Sequence, residues 1–133
     1  MLLAKTIMHS TFTINNNSLQ KCIDKPKGGS NMKVALVGLG QTGKIVAKYL
    51  LEKNILNMVL CRKDSAYANL ELSQILNCAE TGIQVETIDN IDSKLLNKHT
   101  DIIIDFSGPE FLRENIHILE KHKIHVVTAV TEY

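Results

Sequence analysis

An apolar segment that leads directly into three closely spaced glycines constrains the fold of this chain more than any other feature of its sequence. Residues 33–37 read Lys-Val-Ala-Leu-Val, which is typical of a strand buried on both faces of a parallel sheet. Residues 38–43 read Gly-Leu-Gly-Gln-Thr-Gly and follow at once. Residues 44–53 carry apolar side chains at helical spacing, and Asn54, which tolerates a left-handed backbone, comes next. The sequence therefore predicts a strand, a tight turn and a helix in succession.

Strand-like and helix-like segments alternate through the rest of the chain. Four further strands are predicted, at residues 57–61, 84–88, 102–106 and 124–128. Helices are predicted between them, at residues 66–76, at residues 91–98 and from Pro109 onward. Five strands separated by helices predict a single α/β domain over residues 32–133. Its fold is expected to be a Rossmann-like doubly wound parallel sheet with right-handed crossovers.

The overall composition excludes several classes of partner. With 15 basic and 14 acidic side chains the formal charge is +1, so nucleic acid and anionic membranes would find no surplus of cations. Three cysteines without a Cys-x-x-Cys pair indicate free thiols in a reducing cytoplasm. The histidines lack metal-ligand spacing, since His117 and His122 would fall on different faces of a helix. We therefore expect a cytoplasmic protein that binds no nucleic acid, no membrane and no metal.

Residues 1–31 differ in composition from the rest of the chain. They carry four lysines and one acid, hence a charge of +3, which leaves −2 for the other residues. Their apolar side chains follow no regular period, which predicts a disordered leader. Residues 27–29, Lys-Gly-Gly, can be encoded by the purine run of a bacterial ribosome-binding site, which favours Met32 as the true start of translation. A transit peptide is the alternative, although the segment contains no arginine.

The glycine turn carries the first prediction of a ligand. In the pattern Gly-x-Gly-x-x-Gly, the first glycine permits the tight turn, the second admits a pyrophosphate close to the backbone, and the third lets the helix pack on the strand. The helix N-terminus adds a partial positive charge. We therefore predict that a dinucleotide is bound by Gly38, Leu39, Gly40, Gln41, Thr42 and Gly43. The alternative is a glycine-rich turn that joins strand and helix without a ligand.

The residues after the second strand bear on which dinucleotide is bound. An acid about 20 residues after the turn usually binds the adenosine ribose, whereas an arginine accommodates a 2′-phosphate. Here Cys61 stands at that position, and Arg62 and Lys63 follow it. The missing acid, together with Arg62, which can donate two N–H groups to a phosphate, favours NADPH over NADH. In the alternative, Arg62 and Lys63 are merely solvated and Asp64 binds the ribose.

A second motif narrows the family. Residues 105–110 read Asp-Phe-Ser-Gly-Pro-Glu after a strong strand, and a helix and a last strand lead on to Tyr133. This arrangement resembles the N-terminal domain of dihydrodipicolinate reductase, whose fourth strand ends in a similar stretch. The resemblance implies reduction of 4-hydroxy-tetrahydrodipicolinate with NADPH or NADH in the synthesis of lysine and diaminopimelate. It also implies that the nicotinamide half of the cofactor is flanked by Phe106, Ser107, Gly108, Ala129, Val130 and Thr131.

Two departures from that family limit the activity that we expect. Where the family has Gly-Thr-Thr-Gly before an aromatic residue, this chain has Ala-Val-Thr-Glu at residues 129–132. The family's second domain, which binds substrate and forms a homotetramer, does not follow Tyr133, so no catalytic residue is assigned. The resemblance therefore implies a cofactor-binding domain that is inactive alone and has a separately encoded C-terminal domain as its partner. Its last strand is expected to be an unprotected edge.

Two other classes of protein share one Rossmann unit. One is a stand-alone nucleotide-sensing module of the kind attached to potassium channels, which usually keeps an acid after the second strand. The other is the N-terminal half of a different amino-acid dehydrogenase, such as the homoserine type. The motif at residues 105–110 favours the reductase over the sensing module. The other amino-acid dehydrogenases share the first half of the fold, so the sequence does not exclude them.

Overall fold

The computed structural model describes residues 5–7 and 32–128, which form six strands and four helices. The strands are β1 (Lys5–Ile7), β2 (Val34–Val37), β3 (Leu56–Cys61), β4 (Glu86–Thr87), β5 (Ile102–Asp105) and β6 (His125–Thr128). The helices are α1 (Gln41–Glu52), α2 (Leu72–Leu76), α3 (Ile91–Asn97) and α4 (Pro109–Lys121). The helices in the described part of the chain include no candidate membrane span.

All six strands belong to one parallel sheet. Their order is β1-β6-β5-β2-β3-β4. From β2, near the centre of the sheet, the chain proceeds outward to β3 and β4 and returns to the other side of β2 with β5 and β6, while β1 pairs with β6 at the edge. The carboxyl ends of β2, β3 and β5 meet where the direction of winding reverses, which is the usual ligand position in such sheets. The predicted Rossmann-like doubly wound fold is confirmed.

The core has two layers because every strand residue of β2 and β5 is buried. On one face, Val34, Leu36 and Ile104 pack with the buried side of α1. On the other face, Val37 and Ile103 pack with α3 and α4. The continuous apolar runs of these strands are thus explained by helices that cover both faces of the sheet.

The second predicted helix is shorter in the structure than the sequence suggests. It was expected over residues 66–76, but α2 begins only at Leu72. Asn69 adopts a left-handed backbone at φ 68°, and its N–H donates to the carbonyl oxygen of Val85 at 2.8 Å. That contact with a distant segment replaces the helical hydrogen bonds that residues 66–71 would otherwise make.

Strand β1 departs from two sequence predictions, which are the disordered leader at residues 1–31 and the unprotected edge of the last strand. Three residues of the predicted disordered leader, Lys5–Ile7, pair in parallel with Val126–Thr128. The edge of β6, which we expected to be unprotected, therefore has a neighbour. An open edge offers a row of backbone N–H and C=O groups, and any short extended segment within reach can pair with them. Residues 1–4 and 8–31 of the leader lie outside the described residues.

Candidate functional site

The glycine turn joins β2 to α1 in a conformation that requires its first glycine. Gly38 has φ +95°, a backbone region that side chains disfavour, and its N–H donates to Leu60 O at 3.0 Å. A Cβ on Gly38 would lie 3.1 Å from both Phe106 C and Ser107 N. The turn therefore lies directly against the segment that follows β5, and a side chain at position 38 would crowd that segment as well as strain the backbone.

The third glycine is required by packing and the second is not. A Cβ on Gly43 would lie 2.2 Å from the carbonyl oxygen of Gly38, so only glycine lets α1 approach the turn this closely. Gly40 has an ordinary φ of −72°, and a Cβ there would meet nothing within 4 Å. Neither strain nor packing explains the glycine at position 40, and the space beside it is open.

The open space lies at the N-terminus of α1. The first helical hydrogen bond runs from Lys44 N–H to Gly40 O at 3.0 Å. The N–H groups of Gln41, Thr42 and Gly43 precede it and have no partner within the helix. No side chain caps this end of α1. Free donors, a helix dipole and a gap beside Gly40 together fit a pyrophosphate group.

A cleft of about 690 Å³ opens at the carboxyl edge of the sheet. It is lined by the glycine turn, by residues 61–65 after β3, by residues 106–108 after β5 and by the beginning of α4. We call it the switch-point cleft because it lies where the winding of the sheet reverses. Its volume falls in the range of about 300–1,000 Å³ that is usual for small-molecule and cofactor sites.

A buried carboxyl group supports the wall of the cleft after β5. Asp105 is fully buried, and its Oδ1 accepts hydrogen bonds from Ser107 N at 2.8 Å and from Ser107 Oγ at 2.6 Å. Its Oδ2 has no hydrogen-bond partner among the described residues. Burial raises the pKa of Asp105 above the usual aspartate value, although the bonds from Ser107 oppose this. Asp105 thus holds residues 106–108 in place beside Gly38.

The wall after β3 is built from exposed charged side chains. Arg62 Nε lies 3.4 Å from Asp64 Oδ1, and Lys63 Nζ lies 2.9 Å from Asp89 Oδ1. The hydrogen bond with Asp89 raises the pKa of Lys63 and in turn lowers the pKa of Asp89. Cys61, which precedes them, is buried, and burial raises the pKa of its thiol. The two cations therefore already have acidic partners at the edge of the cleft.

The structure brings most of the predicted ligand-binding residues into one cleft. Its walls include Gly38, Leu39, Gly40, Arg62, Phe106, Ser107 and Gly108. Gln41, Thr42 and Gly43 form the first turn of α1. Ala129, Val130 and Thr131 lie outside the described residues. No cluster of potential metal ligands occurs in residues 32–128.

Sequence reasoning missed several residues that line the cleft. Lys63 was noticed only as a neighbour of Arg62, and Tyr67, Glu110 and Glu114 were assigned no role. The two glutamates lie four positions apart on α4, a spacing that places both on one face of a helix. That periodicity, combined with the start of the helix at Pro109, could have identified them.

A protein-family model matches most of this chain. The family model described as dihydrodipicolinate reductase, N-terminus, matches residues 32–133. The match begins at the residue that the sequence analysis favours as the start of translation. It includes both the glycine turn and the Asp-Phe-Ser-Gly-Pro-Glu motif.

Solved structures of similar fold belong to oxidoreductases and to an NADH complex. An amine dehydrogenase from Mycobacterium smegmatis has 24% identity and a TM-score of 0.60 over 75% of this chain and 30% of its own. A homoserine dehydrogenase from S. aureus has 24% identity and a TM-score of 0.53, covering 77% of this chain and 27% of its own. A protein named RSP, in complex with β-NADH, has 15% identity and a TM-score of 0.56, covering 89% and 59%. At these identities the likeness establishes the fold, and this chain spans less than two thirds of each of the three structures.

Proposed function

Because the chain belongs to the dihydrodipicolinate reductase family through that family's N-terminal domain, we propose that it binds a reduced nicotinamide dinucleotide in the switch-point cleft. Family membership makes residues 32–133 the nucleotide-binding domain of an oxidoreductase. The finer proposal is that the domain serves the reduction of 4-hydroxy-tetrahydrodipicolinate in lysine and diaminopimelate synthesis. The family match favours this role over that of a channel-associated sensing module.

The observation that carries the proposal is the unexplained glycine at position 40. Gly38 and Gly43 are required by the protein's own backbone, but Gly40 has an ordinary φ and no atom within 4 Å of a Cβ. A ligand that occupies the gap accounts for it, since a pyrophosphate on the α1 N–H groups would leave no room for a side chain. The alternative of a turn without a ligand requires the first and third glycines but permits other N-cap residues at position 40.

The other walls of the cleft have distinct roles in this proposal. Arg62 would hold the 2′-phosphate of NADPH, which makes NADPH the favoured cofactor over NADH. Phe106, Ser107 and Gly108 would flank the nicotinamide half at the end of β5. When bound, the cofactor supplies a hydride to an electron-poor carbon of the substrate, and the chain holds and orients the cofactor.

We further propose that this chain alone does not turn over. The only cationic side chains that line the switch-point cleft in the described part, Arg62 and Lys63, follow β3. The wall after β5 continues into Glu110 and Glu114. A dicarboxylate substrate at that wall would be repelled by two carboxylates, so we propose that the groups that bind it come from outside the described residues.

Titration of the 133-residue chain with NADPH, followed by nicotinamide fluorescence, tests the cofactor site. Gly40→Val should weaken binding by about 10- to 100-fold, because a branched side chain fills the gap beside α1. Circular dichroism should show a folded protein, since nothing packs against position 40. Unchanged titration in a folded Gly40→Val variant contradicts the site. Oxidation of NADPH by the wild-type chain with freshly prepared substrate contradicts the proposed inactivity.

A further inference from the structure

The two cations after β3 are held by acids in different ways. Arg62 pairs with Asp64, two positions further along the same loop, and the side chain of Asp64 is 76% exposed. Lys63 pairs with Asp89, which follows the neighbouring strand β4 and is 39% exposed. The second pair therefore connects the ends of two strands, whereas the first is local.

Asp89 is fixed in position by more than its lysine. Its Oδ2 accepts a hydrogen bond from Thr87 Oγ1 at 3.2 Å, so its two carboxylate oxygens have separate partners. A carboxylate that is already oriented loses little conformational freedom when it binds a cation. Lys63, at 74% exposure, has a flexible side chain that lies where Asp89 and the charge of Glu114 on α4 attract it.

This arrangement matters for the choice of cofactor. A phosphate monoester carries a charge of about −1.5 to −2 at pH 7 and competes with carboxylates for the same cations. The 2′-phosphate of NADPH must therefore compete with Asp89 for the charge and the orientation of Lys63. The free ribose hydroxyls of NADH donate hydrogen bonds and need no cation, so they leave the pair intact.

We propose that Asp89 is a positioning residue for cofactor specificity, which holds Lys63 away from the 2′-phosphate and thereby lowers the preference for NADPH over NADH. The inference rests on the proposed function, because it assumes that the adenosine end of the cofactor lies at the end of β3. Asp89 acts through Lys63 and does not touch the cofactor itself.

The experiment measures dissociation constants for NADPH and NADH in the full chain. Asp89→Asn keeps the shape of the side chain and removes its charge, which releases Lys63. The affinity for NADPH should rise about three- to fivefold, the size expected for loss of an exposed ion pair, with NADH changed less than about twofold. Equal changes for both cofactors, or no change, contradict the inference.

A second variant distinguishes release of Lys63 from simple loss of repulsion between Asp89 and the phosphate. In a Lys63→Met background, Asp89→Asn should leave the affinity for NADPH unchanged, because no lysine is left to release. A gain in NADPH affinity that persists in this background overturns the proposed route through Lys63.

Asp92→Asn is the matched control. Asp92 has a similar exposure of 42% and pairs with Lys121 at 3.0 Å and with His122 at 2.6 Å. Neither of these partners lines the switch-point cleft, whereas Lys63, the partner of Asp89, does. The same substitution there should leave both dissociation constants unchanged, and a gain equal to that of Asp89→Asn overturns the inference.

Gly40→Val separates this inference from the proposed function. If Gly40→Val leaves cofactor binding intact, the proposed site is wrong. If Gly40→Val abolishes binding but Asp89→Asn leaves the ratio of the NADPH and NADH dissociation constants unchanged, only the role of Asp89 is refuted.

Discussion

The glycine turn and the residues after β3 form two ends of one cleft, but different kinds of interaction hold them in place. At the glycine turn, backbone atoms lie so close together that a Cβ at Gly38 or Gly43 would crowd them. After β3, Arg62 and Lys63 are about three-quarters exposed and are positioned by ion pairs. One end is fixed by packing and the other by competition among charges.

This difference indicates that one end of the cleft controls the overall affinity for a dinucleotide and the other controls the preference between cofactors. A backbone cradle offers the same N–H donors to every dinucleotide, since NADH and NADPH share the pyrophosphate. Exposed side chains can exchange partners at small cost and can therefore discriminate between a ribose hydroxyl and a phosphate. We expect substitutions at the glycine turn to change stability and overall affinity, and substitutions after β3 to change the ratio between cofactors.

The largest effect on stability is expected at Gly43. In Gly43→Ala, the new Cβ would lie 2.2 Å from the carbonyl oxygen of Gly38, and backbone atoms on both sides cannot move aside easily. The free energy of unfolding should fall by about 2 kcal/mol, measured by urea denaturation. Gly40→Ser is the control, because position 40 is the N-cap of α1, is open, and should keep its stability within about 0.5 kcal/mol. Equal losses in both variants would contradict the division between a packed and an open glycine.

The same division shows what the sequence could reveal. Contiguous features were predictable, because the spacing of Gly38, Gly40 and Gly43 after an apolar strand already defines the turn. The pair formed by Lys63 and Asp89 was not, since it depends on β3 and β4 lying side by side. The loss of helix before Leu72 likewise follows from contacts with a distant segment. A turn can be predicted because its residues are adjacent in the sequence. An ion pair between two strands can be predicted only when it is known which strands are neighbours in the sheet.

The pairing of β1 with β6 is a second contact between distant segments that the sequence does not predict. Residues 1–31 have no hydrophobic period from which a strand could be predicted, and Lys5–Ile7 is only three residues long. The strand exists through backbone hydrogen bonds to β6, and such bonds leave no trace in the pattern of side chains.

The buried carboxyl group of Asp105 lies behind the packed end of the cleft, and its titration should make the stability of the protein depend on pH. Its pKa is raised in the folded protein, so the folded state binds the proton more tightly than the unfolded state does. The contribution of Asp105 to stability is therefore largest below the ordinary aspartate pKa and falls as the pH rises through the raised pKa. Asp105→Asn keeps an oxygen for Ser107 and does not titrate. Urea unfolding at a series of pH values should show wild type losing stability relative to Asp105→Asn across that window, whereas a constant difference would contradict a buried titrating carboxyl.

The smallest effect is expected at Arg62, which is exposed and paired with Asp64. Arg62→Ala should leave the free energy of unfolding unchanged and should weaken NADPH binding about three- to tenfold, because one charge-assisted contact with the 2′-phosphate is lost. Binding of NADH should change less than about twofold, measured by the same fluorescence titration. Arg113→Ala provides the control, since Arg113 is an exposed arginine on α4 outside the cleft lining and should affect neither cofactor. If Arg62→Ala weakens NADH and NADPH equally, Arg62 contributes general attraction for the pyrophosphate, and the end of the cleft after β3 does not discriminate between the cofactors through this residue.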